Sequence, residues 1–308
     1  MSMSSFYNIP YLKYGKFTTT ISLVSFILAV MCIWIKGINL SNEFTGGSLI
    51  QIAYENNVNI ETIRSELEAT GLHKFEIQNF GSAKEFLIRA PSQNNYTDIV
   101  KNLTDKAQAE HNTATIKNVQ YIGPEIGRDL FYDGIVASII VCLGVIVYLS
   151  VRFEWRFALS AIIANLHDIF IVMGILSLFQ VEFSLNVLAA ILAVFGYSVN
   201  ESVVVFDRIR SNLMNQVEDN LNGCINNAIN RTMKRTIITH ACTQMMVLSI
   251  LFFGGASLHG FAIALTLGIV CGIYSSVLVA SPLLLLFGLD MEQFIAKKTA
   301  PPKEEIIV

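Results

Sequence analysis

The chain has 308 residues, of which 53% are hydrophobic and 15% are charged, and its mean hydropathy is +0.53. A soluble globular protein carries about 25% charged residues, so this composition requires either lipid or an unusually large core. The net charge of −3 indicates no nucleic-acid partner, and the five cysteines show no CxxC or other metal-ligand spacing.

Six long apolar runs follow one another along the chain. Each is long enough to cross a hydrocarbon core of about 30 Å, which takes about 20 helical residues. No small-residue cleavage site follows the first run, so we interpret it as a retained anchor and not as a signal peptide. We therefore predict a polytopic α-helical membrane protein with six transmembrane helices near 17–35, 130–150, 157–179, 185–206, 236–254 and 260–287.

The distribution of positive charge predicts which side of the membrane each loop faces. If the N-terminus is inside, twelve of the 21 Lys and Arg residues lie in cytoplasmic segments, and the short outer loops near 180–184 and 255–259 hold none. The other nine lie in 36–128, which is long enough to be translocated regardless of charge. The positive-inside rule therefore predicts that both termini, 1–16 and 289–308, are cytoplasmic.

The segment 36–128 is predicted to be an extracytoplasmic (periplasmic) domain between the first two membrane helices. Its hydrophobic patterns follow the order β-α-β-β-α-β, which is the ferredoxin-like order. The predicted strands are 46–55, 73–80, 85–91 and 114–123, and the predicted helices are 59–72 and 96–111. The domain contains no cluster of His, Cys or paired acids, so we interpret it as a binding or positioning module.

The segment 129–288 is predicted to form a membrane domain of five helices. Its longest polar interruption, 207–235, lies on the predicted cytoplasmic side, and the stretch NGCINNAINRTMKR within it is interpreted as a short separate helix near the membrane surface. The charged cluster FDRIR, which contains Asp207 and Arg208, is interpreted as the cytoplasmic boundary of the fourth membrane helix.

One acidic residue, Glu201, lies among the valines of the fourth predicted membrane helix. A charged side chain at the bilayer centre costs about 2.5–3.5 kcal/mol on insertion scales, so such residues usually face a bundle interior or a wet cavity. In that setting a carboxyl group can exchange its proton near neutral pH, which is the property that a proton relay needs. Alternatively, Glu201 reaches cytoplasmic water, since it lies five residues, or about 8 Å, before Phe206.

Other polar residues of the membrane helices are candidates for the same chemistry. Arg235 begins the fifth helix near the same membrane face as Glu201, so it is either a counter-charge or an ordinary flanking cation. Asp168, next to His167, lies about twelve residues into the third helix. It either takes part in a proton path or fixes helix packing through a hydrogen bond. His240, in the fifth helix, is a weaker candidate.

Four motifs occur in order along the chain, EFTGG at 43–47, GYSVNESVVVFDRIR at 196–210, NRTMKRTIIT at 230–239 and FFGGASLHGF at 252–261. With six predicted spans and one outer domain, they resemble the SecD/SecF family of bacterial protein-export membrane proteins over about residues 10–288. Tyr197, Asn200, Asp207 and Arg208 are the supporting polar positions of the second motif.

The resemblance implies a function, a location and a set of partners. Members of the family belong to the resistance-nodulation-division (RND) superfamily and associate with SecD, YajC and the SecYEG channel. They use the proton-motive force to help an unfolded preprotein across the bacterial inner membrane after the SecA-driven step. The acid of the family motif GYSIND matches Glu201, and the arginine of its RT-x-x-RT motif matches Arg235, so the resemblance implies a proton-coupling pair. It implies no cofactor and no hydrolytic or redox activity.

Two other functions stay open at this stage. An RND-type exporter of small molecules or lipids normally has two six-span halves and two large outer domains, whereas this sequence predicts one of each. A membrane assembly scaffold that transduces no energy would give Glu201 a purely structural role. The sequence contains no P-loop, Ser/His/Asp set or metal-site motif, so we expect any energy input to come from a partner or an ion gradient.

Overall fold

The computed structural model describes residues 9–69, 75–80, 82–90, 101, 104–105, 112–292 and 294. Six helices in this part of the chain are long and apolar enough to cross a membrane, which confirms the predicted number of spans. They are α1 (Gly15–Lys36), α4 (Pro124–Arg152), α5 (Trp155–Leu178), α6 (Leu185–Met214), α7 (Leu221–Phe253) and α8 (Ala256–Leu278). The shorter helices are α2 (Asn42–Thr45), α3 (Ile60–Ala69) and α9 (Ala280–Leu286), and a 3-10 turn at Tyr11–Tyr14 precedes α1.

Helix α7 corrects one prediction. A short surface helix followed by a separate span at 236–254 was expected, but a single helix of 33 residues runs from Leu221 to Phe253. The prediction was wrong because this segment is polar at its start yet contains no Pro, and its one Gly, Gly223, lies in the first turn. At 1.5 Å per residue α7 is about 50 Å long, so part of it extends beyond a hydrocarbon core of about 30 Å.

Two further helix ends differ from the predicted ones. Helix α6 continues past the predicted end at 206 to Met214, so the charged FDRIR cluster lies inside the helix and not at its boundary. The last predicted span, 260–287, divides at Val279 into α8 and α9. Hydropathy marks the apolar part of a helix, whereas the helix itself continues for as long as its backbone hydrogen bonds do.

An antiparallel sheet forms a domain between α1 and α4, here called the sheet domain (residues 47–122). Its strands β1 (Gly47–Tyr54), β2 (Glu76–Phe80), β3 (Ser82–Ala90) and β4 (Ala114–Ile122) lie in the order β2-β3-β1-β4. One face of the sheet packs on α3 through a buried apolar cluster that includes Ile50, Ile52, Ile63, Leu67, Phe86 and Ile88. The four predicted strands and the first helix are confirmed. The second predicted helix, 96–111, lies mostly outside the described residues, so the complete ferredoxin-like arrangement stays a prediction.

Two adjacent glycines connect β1 to the helices on either side of it. Gly46 and Gly47 have φ angles of +72° and +143°, which residues with a side chain rarely adopt. A Cβ atom on Gly46 would lie 2.9 Å from Cα of Pro124, and one on Gly47 would lie 2.6 Å from the carbonyl oxygen of Ala90. Both positions therefore require glycine, and the close approach holds β1 against β3 and the start of α4.

The membrane helices are arranged around α6. Helices α5, α7 and α8 pack against α6, and α1 packs on α5. Near the α6–α7 loop, a buried cluster that includes Phe157, Phe206, Ile209 and Ile225 fixes these helices. Helix α4 stands further out, with apolar side chains such as Val147 and Val151 exposed along it. The bundle thus has a packed centre on α6 and an apolar outer surface.

Candidate functional site

Glu201 lies on the face of α6 that packs against α7, and only 7% of it is exposed. The hydroxyl group of Thr236, on α7, donates a hydrogen bond to Glu201 Oε1. The Nδ1 atom of His240, one turn further along α7, lies 4.0 Å from Glu201 Oε2. The carboxyl group is therefore enclosed between two helices and faces polar side chains, which favours the buried interpretation over direct contact with water.

Polar side chains continue from Glu201 along α6 and α7 toward the sheet domain. His240 Nδ1 lies 2.8 Å from the carbonyl oxygen of Thr236. A carbonyl only accepts hydrogen bonds, so Nδ1 carries the proton, or both ring nitrogens do, and Nε2 has no partner among the described residues. The imidazole ring packs edge-on against Tyr197 at 4.9 Å between centroids, and the Tyr197 hydroxyl lies 3.2 Å from Thr243 Oγ1. We call these five residues the polar seam.

Arg235 lies outside the polar seam. Its side chain is exposed, and no ion pair joins it to a carboxylate among the described residues. Successive residues of an α-helix point about 100° apart, so a helix that turns Thr236 toward α6 turns Arg235 away from it. In this arrangement the partner of Glu201 is thus Thr236 and not Arg235, and the predicted Glu201–Arg235 pair is not formed.

Asp168 is fully buried and joins three membrane helices. Its Oδ2 atom accepts hydrogen bonds from Ser198 on α6, at 2.8 Å, and from Ser275 on α8, at 2.5 Å. The neighbouring His167 places Nδ1 3.3 Å from Asp168 Oδ1, and its ring stacks on Phe26 of α1 with centroids 6.3 Å apart. The predicted interhelical hydrogen bond is therefore present, whereas a part of Asp168 in a proton path stays a prediction.

The other motif positions lie apart from Glu201. Asp207 Oδ1 accepts a hydrogen bond of 2.6 Å from Arg152, which links α6 to the last turn of α4. Arg208 is partly buried, and its Nε atom has no hydrogen-bond partner among the described residues. Asn200 is exposed on the bundle surface. Of the four supporting positions, the structure thus brings only Tyr197 into the polar seam.

Charged contacts attach the sheet domain to the membrane helices. Arg89 of β3 pairs with Glu182 in the α5–α6 loop, and its Nη1 atom lies 3.4 Å from Glu76 Oε2. Glu43 Oε2 accepts the backbone N–H of Leu185 at 2.6 Å, at the first turn of α6. Burial raises the pKa of the Glu182 carboxyl above its usual range. Arg89 acts against this rise, and the carboxylates of Glu43 and Glu76 add to it.

Comparison with known proteins identifies the family of the chain. A family model described as Protein export membrane protein SecD/SecF, C-terminal, matches residues 101–290, and one described as SecD/SecF GG Motif matches residues 33–58. The chain belongs to the SecD/SecF family. The resemblance drawn from the four motifs is therefore confirmed. The range that matches the GG-motif model contains Gly46 and Gly47, the two adjacent glycines whose φ angles and close backbone contacts exclude a side chain.

Individual relatives cover most of the chain. The protein translocase subunit SecF of Pseudomonas aeruginosa is 38% identical over 277 residues, which are 89% of this chain and 90% of that protein. Its counterpart in Escherichia coli O157:H7 is 33% identical over 295 residues, which are 94% of this chain and 90% of that protein. This membership favours protein export over the export of small molecules or lipids.

Solved structures of SecDF share the fold. SecDF from Thermus thermophilus, a translocon-associated membrane protein, is 33% identical with a TM-score of 0.82 over 93% of this chain. SecDF in its super-membrane-facing form is 31% identical with a TM-score of 0.72 over 97% of this chain. The chain spans only about two fifths of these SecDF chains, at 39% and 41%.

Sequence reasoning missed the residues that make the closest contacts with the two buried carboxyl groups, namely Thr236, Ser198 and Ser275. A signal existed for Thr236, because it lies four residues before His240 and residues at that spacing share one helix face. No such signal marks the serines, since a serine inside a helix often bonds its own backbone. No group of three or more His, Cys, Asp or Glu that could hold a metal ion occurs in the described part of the chain.

Proposed function

We propose that this chain is an accessory subunit of the Sec protein-export machinery that acts with a SecD partner in the bacterial inner membrane. Relatives named protein translocase subunit SecF match it almost end to end, which supports the assignment. The longer SecDF chains, of which it covers about two fifths, support a second component in the assembly. The exposed apolar surfaces of α1 and α4 are suited to lipid or to that component.

The proposal includes an orientation and further partners. Both termini and the α6–α7 loop lie in the cytoplasm, and the sheet domain lies on the outer side, where an unfolded preprotein emerges from the SecYEG channel after the SecA-driven step. YajC completes the set of partners. We infer that the sheet domain is ferredoxin-like, because its described strands pair antiparallel in the order β2-β3-β1-β4.

The energy source in this proposal is the proton-motive force, and Glu201 is the group that binds the proton. The observation that carries this step is the burial of the Glu201 carboxyl between α6 and α7, in hydrogen-bond contact with Thr236 and 4.0 Å from His240. A carboxyl at such a site changes the packing of the two helices when its charge changes. One charge moved through 100 mV supplies about 2.3 kcal/mol, which is enough to shift such packing.

Arg235 enters the proposal as the partner of Glu201 in a second arrangement of α7. A rotation of α7 by about 100° around its axis replaces Thr236 by Arg235 on the face toward α6. A neutral carboxyl group is compatible with the Thr236 hydroxyl, whereas an ionised one favours the guanidinium group. Proton binding at Glu201 would therefore select between two rotational positions of α7.

Asp168 has a supporting place in this proposal. Its hydrogen bonds from Ser275 and from Ser198, which lies one turn before Glu201 on α6, hold α5, α6 and α8 together, so it fixes the helices against which α7 turns. A direct part of Asp168, with His167, in the proton path is the further hypothesis. It predicts that Asp168→Asn, which keeps an acceptor oxygen for the two serines but binds no proton, abolishes the effect of the gradient.

The test is preprotein translocation into vesicles that contain the Sec channel, this protein and its SecD partner. Wild type, Glu201→Gln and Glu201→Asp are compared with and without an imposed proton gradient. We expect the gradient-dependent increase in translocation to disappear in Glu201→Gln and to remain in Glu201→Asp, because only Asp keeps a proton-binding carboxyl group. If Glu201→Gln keeps the full increase in an intact complex, the coupling role is wrong and a non-transducing scaffold becomes the better description.

A further inference from the structure

A cleft of about 680 Å³, partly open to solvent, lies between the sheet domain and the membrane helices. One wall is the face of the sheet that is turned away from α3. The other is formed by the α5–α6 loop and the first turns of α6 and α8. Known ligand pockets have volumes of roughly 300–1,000 Å³, so this space is large enough for a bound molecule.

The composition of the cavity wall is unusual, since eight of the 23 lining residues that the structure describes are Asn or Gln. Five of them lie on the sheet, and the strand register places three of these, with Leu87, in one row across it. Gln78 of β2 lies opposite Leu87 of β3, which lies opposite Gln51 of β1, which lies opposite Asn118 of β4. Neighbouring strands lie about 4.8 Å apart, so this row crosses the wall over about 14 Å. We call the space the amide-lined cavity.

Side-chain amides suit a ligand that itself carries amides. An Asn or Gln side chain offers both a donor and an acceptor, which are the two groups that every peptide unit presents. Gln78, Asn118 and the neighbouring Gln120 are exposed and make no side-chain hydrogen bond with other described residues. They are therefore free to bind the backbone of a polypeptide whatever its sequence, while Leu49 and Leu87 between them offer apolar contact.

The charges of the cavity disfavour an anionic ligand such as a lipid phosphate. Arg89 is the one Lys or Arg among the described lining residues, and it is already paired with Glu182 and Glu76. The remaining lining carboxylate, Glu43, is held by the backbone of Leu185. With two carboxylates and no unpaired Lys or Arg among the described lining residues, the wall disfavours a phosphate group, whereas a neutral peptide backbone meets no such barrier.

We propose that the amide-lined cavity binds an extended segment of the polypeptide being exported, through that segment's backbone N–H and C=O groups. This inference rests on the proposed function and names the binding site within it. A row of about 14 Å matches about four extended residues at about 3.3 Å each. Weak binding that does not depend on sequence is suited to an exported polypeptide, which must dissociate from the site and continue its passage.

The first experiment places a photo-reactive benzoylphenylalanine at Gln120 in the full chain, assembled with SecD and the Sec channel in vesicles. A preprotein arrested during translocation by a folded C-terminal domain serves as the probe. The matched control carries the same group at Glu68, which is exposed on α3 on the other side of the domain. We expect an adduct with the preprotein from position 120 and not from position 68. An adduct with SecD or with lipid only would overturn the proposal.

A second experiment tests binding without a photo-reactive group. The double variant Gln78→Ala, Gln120→Ala lacks two hydrogen-bonding side chains, so we expect the amount of arrested preprotein that it captures to fall about tenfold relative to wild type. Glu68→Gln should leave it unchanged. If the double variant captures preprotein as well as wild type does, the cavity is not the binding site. This outcome is distinct from failure of the proposed function, in which wild type itself shows no gradient-dependent increase.

Discussion

Replacement of Gly47 by alanine tests how the sheet domain is attached to the membrane helices. The φ angle of +143° at Gly47 is disfavoured for alanine, and such backbone strain costs about 1–3 kcal/mol. The new Cβ atom would lie 2.6 Å from the carbonyl oxygen of Ala90, which is paired across the sheet with Ser48 and so has little freedom to move. Such overpacking costs about 1–3 kcal/mol more. The total is a large part of the 5–15 kcal/mol that stabilises a typical domain.

Two other glycines provide matched controls for this substitution. Gly37→Ala meets no atom within 4 Å but keeps φ and ψ angles of +72° and −177°, so it should cost only the backbone strain, about 1–3 kcal/mol, without the steric contact. Gly144→Ala, inside α4, also meets no atom within 4 Å and has ordinary helical geometry, so it should be neutral or stabilise by up to about 1 kcal/mol.

The assay is protease resistance of the sheet domain in the full-length, membrane-embedded protein as the temperature rises. We expect the midpoint of cleavage to fall most for Gly47→Ala, less for Gly37→Ala and not at all for Gly144→Ala. If Gly47→Ala and Gly37→Ala lower the midpoint equally, the contact with Ala90 contributes nothing and the steric argument is refuted.

Three further predictions concern the charged and polar contacts. Burial raises the pKa of Glu182 above 4.5, so the folded protein favours the neutral carboxyl group. The stabilisation that this group provides is therefore fully present below about pH 4.5 and is lost as the pH rises through the raised pKa. Glu182→Gln should remove that pH dependence from thermal unfolding, and an unchanged profile would contradict it. Asp168→Ala should lower stability in detergent by roughly 1–3 kcal/mol, because two buried hydroxyls lose their acceptor, whereas Ser198→Ala should cost about 1 kcal/mol. Thr236→Val should reduce the gradient-dependent increase in translocation about fivefold, because it removes the hydroxyl group that donates to Glu201. Thr236→Ser, which keeps the hydroxyl group, should retain the increase.

The sequence predicted the fold well wherever one periodicity decides the structure. Six apolar runs became six long helices, and the alternating pattern of Ile50, Ile52 and Tyr54 became the buried face of β1. It failed for α7, because the polar residues between Gly223 and Arg235 lower hydropathy without breaking a helix. Hydropathy reports which part of a chain lies in lipid, and helix length is a separate property.

Only part of the candidate site could be predicted from the sequence, because a local pattern identifies a buried acid but not its partners on other helices. A lone acid in an apolar run identifies Glu201, and the same argument identifies Asp168. Their partners depend on the rotation of each neighbouring helix, which packing sets and which no local pattern reveals. Arg235 and Thr236 are adjacent in sequence, yet only one of them faces α6.

The hydrogen bond between Glu43 and Leu185 has a mechanical consequence. The segment before the GG motif is fastened to the start of α6 by this bond and by backbone hydrogen bonds that join Ser41 and Asn39 to Phe183. Glu201 lies sixteen residues after Leu185 on the same unbroken helix, a distance of about 24 Å. An α-helix is stiff along its axis, so an axial displacement at the carboxyl group reaches the base of the sheet domain at nearly full amplitude. No flexible linker lies between Leu185 and Glu201 that could absorb the displacement.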